Sequence, residues 1–366
     1  MKRSLAFLPV ALLLASVVGT ARAQTQPAYT HEAAEKLYRG AKYAEDQALC
    51  TQAIAAIEKS NGPKAWQLAE PLTDLATLYM RQARYAEAKQ AIDRADSVLD
   101  KNVPAQALIY ARLGINKGWR LYTFGETEGG LKVFQEALGL LDKFAPEPSI
   151  DRAELINNIG LMYESQGEKN EDDELTQKAR IDLLRGWEMR RQLTGDYSPE
   201  SGESLNNLSM HLFFNPQSGD DLRLGLRTLR KSLEVATKVY GESHPETAVS
   251  HAVLAMALLV TGSTDEAEKE IRIAIPMTQK FLGDRHPDLA MELSTLGHVL
   301  QKQAHFDDAE KKFLEALSIQ EEVYGKTHRN IVSTLESLKT LYEEKGDPAK
   351  AQDMEKRIAK ISGKDI

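Results

Sequence analysis

A block of residues recurs at one fixed distance, and that distance limits what the chain can fold into. His244-Pro245-Glu246-Thr247 returns 42 residues later as His286-Pro287-Asp288-Leu289, and another 42 residues on as His328-Arg329-Asn330-Ile331. Leu254 keeps step with Leu296 and Leu338, Ala267 with Ala309 and Ala351, and Ala274 with Ala316. Self-similarity at a constant period of this length marks a stacked array, in which each unit buries its apolar face against its neighbours.

One unit, His286 to Thr327, has the grammar of a helical hairpin. Pro287 and Asp288 suit a helix start, because Pro tolerates the first turn and acids favour its positive end. Leu289, Leu293, Leu296, Gly297 and Leu300 follow at helical spacing and form one apolar stripe. Gln303-Ala304-His305 is a short break. Phe306, Ala309, Phe313, Ala316, Leu317 and Val323 make a second stripe, which Tyr324-Gly325 ends. The small residues Gly297, Ala309 and Ala316 fall where two helices would approach closely.

This unit resembles the tetratricopeptide repeat, in the 42-residue variety of kinesin light chains. There the unit opens with His-Pro-Asp, as at His286-Pro287-Asp288. Its first helix carries Leu-Asn-Asn-Leu, as at Leu205-Asn206-Asn207-Leu208, and it closes on a Gly after Tyr or Leu. The resemblance implies an all-α fold: a right-handed superhelical solenoid of about eight hairpins with a concave groove that holds peptides or partner domains. It brings no catalytic chemistry and no cofactor. The expected units are about 31–60, 63–101, 104–145, 149–196, 198–243, 244–285, 286–327 and 328–362. Three are irregular. Thr123 to Gly130 is longer than a hairpin turn requires, Glu168 to Glu174 is expected as a solvated acidic insert, and Asn215 to Gly219 as extra loop. Pro276 falls inside a second helix, where it is expected to bend the backbone.

The first residues follow different rules. Lys2-Arg3, an apolar run from Leu5 to Val18 and Ala21-Arg22-Ala23 make residues 1–23 a secretory signal. The run is shorter than the roughly 20 residues of a membrane span. Gln24 rather than Cys follows the cleavage site, so no lipoprotein anchor is expected. Residues 24–30 read as a mobile leader. The expected location is periplasmic, without a stable membrane anchor. Loss of Lys2, Arg3 and Arg22 would leave the mature chain three charges more negative than the −8 of the whole sequence. Such a surface argues against nucleic acid and anionic lipid as partners. The single Cys50 rules out an internal disulfide framework; it is either a buried small apolar residue or a site of intermolecular pairing.

No catalytic or metal motif emerges. His31-Glu32-x-x-Glu35 lacks the second His of a zinc helix, and His244, His286 and His328 are displaced along the array. Function is therefore sought on the concave face of the first helices. By the family resemblance, the position before the first-helix Leu bonds a ligand backbone when it is Asn, as at Asn158 and Asn207. The alternative is that these side chains bond neighbouring helices within the array. Further along the same face stand Ile115, Trp119, Leu161, Met210, Phe214 and Met256. They form either an apolar groove floor or a surface covered by closure of the superhelix. The expected function is a non-enzymatic interaction scaffold gripping another protein or peptide. The alternative is an accessory factor that takes a lipid or other apolar ligand.

Overall fold

The computed structural model describes residues 29–363, so the expected signal sequence and most of the leader lie outside the described residues. Among those residues there are sixteen α-helices and no strand. They pair as hairpins in chain order: α1 (His31–Arg39) with α2 (Tyr43–Asn61), α3 (Ala69–Arg81) with α4 (Tyr85–Val98), and α5 (Pro104–Thr123) with α6 (Thr127–Phe144). Then come α7 (Ile150–Asn170) with α8 (Asp173–Thr194), α9 (Pro199–Phe214) with α10 (Gly219–Tyr240), and α11 (Pro245–Val260) with α12 (Thr264–Leu282). The last pairs are α13 (Pro287–Lys302) with α14 (Phe306–Tyr324) and α15 (Val332–Glu344) with α16 (Pro348–Ser362). No described helix is long and apolar enough to cross a membrane.

The hairpin expected of His286–Thr327 is present. Phe313, fully buried on α14, packs against Gly297 so closely that a Cβ there would stand 2.7 Å from its ring. Gly118 and Phe134 repeat this arrangement in the third hairpin, with even less room. Ala309 and Ala316, on the same helix as Phe313, are fully buried. Small residues at these points let the two backbones approach, and the facing ring fills the space.

Two expected irregularities are absorbed into helix rather than loop. Around Thr123–Gly130, α5 runs a full 20 residues and its turn is only Phe124, Gly125 and Glu126. Around Glu168–Glu174, α7 extends to Asn170, the chain reverses at Glu171 (φ 53°) and Asp172, and α8 begins at once. The cause is good helix formers: Gln166, Glu168 and Lys169 extend the helix cheaply, and Asp172 caps α8 by accepting from the backbone of Glu174 and Leu175. The Asn215–Ser218 loop is present. At Pro276, α12 continues unbroken from Thr264 to Leu282. Cys50 is fully buried, with its Sγ 3.6 Å from the Asp46 carboxylate.

Successive turns of the superhelix touch. The His244 and His286 rings cap α11 and α13, where Nδ1 accepts from the backbone N–H of Glu246 (3.2 Å) and Asp288 (3.1 Å). That leaves the ring proton on Nε2. Each Nε2–H donates to a carbonyl 205 residues earlier, His244 to Arg39 at 2.9 Å and His286 to Arg81 at 2.8 Å. The recurring His thus binds the end of a first helix five units back. In the next pair the Asn330 amide takes over, donating to Thr123 O at 3.4 Å. Aromatic contacts line the same seam, with Tyr85 stacked on Tyr324 and Phe124 edge-on to His328. Its centre is the Arg81 guanidinium, 2.8 Å from Asp288 and 3.1 Å from Glu246. Burial works against that charge, but the two carboxylates outweigh it and hold Arg81 firmly ionised.

Candidate functional site

The closed seam turns part of the groove into a chamber. A cavity of about 210 Å³ lies between the first helices of the N-terminal units and the N-terminal ends of α7, α9 and α11. Its wall is charged. Arg39 bridges Glu35 (2.6 Å) on its own helix and Glu200 (2.7 Å) on α9. Asp74 accepts from the Tyr29 hydroxyl at 2.7 Å and lies 2.8 Å from His31 Nδ1. That hydrogen bond raises the His31 pKa against the opposing pull of burial. Arg190 reaches in from α8, only 2% exposed, and donates to Ser204 Oγ (3.0 Å) and Glu203 (3.4 Å). Its Nε has no hydrogen-bond partner. Burial pushes the Glu154 carboxyl up to about 7, and Glu203 is raised for the same reason.

Of the groove residues expected from the sequence, only Ile115 lines this chamber, beside His31, Glu35 and His244, which carry no metal motif. Asn158 is 3% exposed and accepts from the Asn157 amide at 3.3 Å, and its own Nδ2 is without a partner. Asn207 is half-buried; its neighbour Asn206 donates to Ser250 on the next first helix at 3.4 Å. Trp119 is half-buried, edge-on to Phe134 and Tyr122. Leu161 and Met210 are half-buried against the core, and Met256 is half-buried. Phe214 stands 41% exposed at the C-terminal end of α9. The inner wall therefore changes character along α7, α9 and α11. It is acidic at their N-terminal ends and apolar towards their C-terminal ends.

The sequence carried a signal for the acidic half. Asp151, Glu200 and Glu246 lie two helical turns before Asn158, Asn207 and Val253, on the same face. Continuing the groove stripe back by seven residues finds all three. They stand in the first turn of their helices, where an acid also favours the positive helix end. Among the described residues, no group of three or more His, Cys, Asp or Glu is placed to hold a metal ion.

The tetratricopeptide repeat family model matches residues 251–322 and, overlapping them, 288–363. Residues 251–363 carry tetratricopeptide repeats. No curated protein matches it. Among solved structures, a Rap protein complexed with competence and sporulation factor superposes with a TM-score of 0.63 at 12% identity, over 91% of this chain and 96% of that one. A plasmid Rap conjugation gene regulator, solved with a bound peptide, gives 0.57 at 15% identity over 81% and 73%. At these identities the likeness is one of fold. A Podospora anserina putative kinesin light chain with nearly identical TPR-like repeats is 17% identical over 59% of this chain and 97% of its own, with a TM-score of 0.44. In this array of helical hairpins the repeat supplies the scaffold, and the lining of the inner wall sets what it can hold.

Proposed function

We propose that the protein is an exported, non-enzymatic scaffold whose concave groove holds a peptide segment of a partner. The carrying observation is the inner wall. It runs over three adjacent first helices, lines the chamber at their N-terminal ends and exposes Phe214 towards the other end. An extended segment can lie along such a surface, and tetratricopeptide arrays are suited to this mode of recognition. The Rap relatives of similar fold, solved with a factor or a peptide bound, support the reading by analogy. The charged chamber weighs against a purely apolar ligand, since a lipid tail there would strand ionised groups without water. Export rests on the residue pattern of 1–23.

The test is affinity capture from the native cell envelope with the full chain and with Phe214→Ser. Recovery of one partner by the first and its loss with the second supports the reading. Equal recovery by both sinks it. Mass spectrometry of the purified chain checks export; an N-terminus at Met1 in the mature protein would refute cleavage after Ala23.

A further inference from the structure

The chamber is short of positive charge. Asp46 accepts from the Cys50 thiol, Glu35 and Glu200 are matched by Arg39, Asp74 by His31 and Tyr29, and Glu246 by Arg81. Asp151, Glu154 and Glu203 are not. Asp151 is 3.9 Å from Arg112, which is already engaged by Glu70 at 2.9 Å. Glu154 and Glu203 share Arg190, at 3.8 and 3.4 Å. Both line the chamber, and their side chains keep 34% and 51% of their surface open. The mutual repulsion of the three groups adds to the burial that raises Glu154. Three under-compensated carboxylates in one enclosed wall favour a cation.

A second observation concerns the shape of that ligand. Arg190, 2% exposed, presents an Nε–H with no acceptor, and Glu200 Oε2 has no donor. A bare cation leaves the Arg190 donor empty. A peptide brings both a basic group and backbone carbonyls. Beyond the chamber the same three helices turn apolar at Leu161, Met210, Phe214 and Met256.

We propose that the chamber receives an ammonium or guanidinium group of a peptide between Asp151, Glu154 and Glu203. Arg190 Nε donates to a peptide carbonyl, and the apolar residues next to the basic one lie over Met210 and Phe214. This rests on the peptide reading and narrows it to a basic–apolar segment.

A random peptide library displayed on phage and panned on the full chain tests both. A parallel panning uses Glu154→Gln with Glu203→Gln, which removes charge without changing shape; circular dichroism and thermal melts confirm that this variant is folded. Lys or Arg beside apolar residues among the enriched peptides is expected, with synthetic versions binding the double variant at least about tenfold more weakly. Enrichment without basic residues, or equal affinity for both chains, overturns the inference and leaves the peptide reading standing. No enrichment at all overturns both. Spermidine serves as the bare-cation probe; if it binds more tightly than every enriched peptide, the cation does not come from a peptide and the inference fails.

Discussion

At the scale of single residues, the hairpin turns carry a recurring strain. Ala41, Ala83 and Ala304 sit at φ of 52°, 56° and 61°, while the same slot in other hairpins is Gly125, Gly262 and Gly346. A left-handed backbone costs an alanine about 1–2 kcal/mol, partly offset because glycine loses more freedom on folding. Ala304→Gly is therefore expected to stabilise the chain by about 0.5–1 kcal/mol, read as a higher thermal midpoint. Glu292 behaves in the opposite sense. It is fully buried, accepts from Thr278 Oγ1 at 2.6 Å, and its other oxygen has no partner. Burial pushes its pKa up to about 8. A raised carboxyl contributes stability that is complete below its unfolded pKa and is lost as pH rises through the folded one. Stability should therefore fall between about pH 4.5 and 8. Glu292→Gln should flatten that dependence and gain roughly 2–4 kcal/mol at pH 8, measured by urea midpoints across the range. An identical pH profile for the two chains would show that Glu292 titrates normally.

At the scale of helices, hairpin pairing was legible because it is local: an apolar stripe, a small residue at the crossing and a glycine at the end reside within one 42-residue period. The loops expected at Thr123–Gly130 and Glu168–Glu174 failed for a related reason. Extra residues between stripes can lengthen a helix as readily as a turn, and helix formers decide which. The groove residues were legible as a face but not as a site, since burial depends on which hairpins meet. Trp119 and Phe214 occupy the same register, yet one is packed on Phe134 and the other is exposed. Trp119→Ala should cost about 2–3 kcal/mol, against under about 1 for Phe214→Ala, by comparison of denaturation midpoints. Similar losses at both would mean that the apolar half of the wall is core throughout.

At the scale of the whole molecule, the decisive contacts join residues more than 200 positions apart, and nothing in a periodic sequence reports them. The spacing was visible; its use as a clasp was not. His244 and His286 read as repeat markers, and only the touching turns reveal the carbonyls that they hold. Arg81→Met leaves Glu246 and Asp288 without their shared cation, at a cost of roughly 3–5 kcal/mol for a buried pair broken on one side. The expected outcome is a larger radius of gyration in small-angle scattering with helical content preserved. Unchanged dimensions would show that the rings and aromatic contacts close the seam alone.

The clasp also governs the order of assembly. An open array can fold unit by unit as it is made, each hairpin resting on the last. Here the carbonyls of Arg39 and Arg81 gain their ring donors only when His244 and His286 arrive. The contacts that close the seam therefore form only after 205 further residues have been made, and the loop they close is a long one.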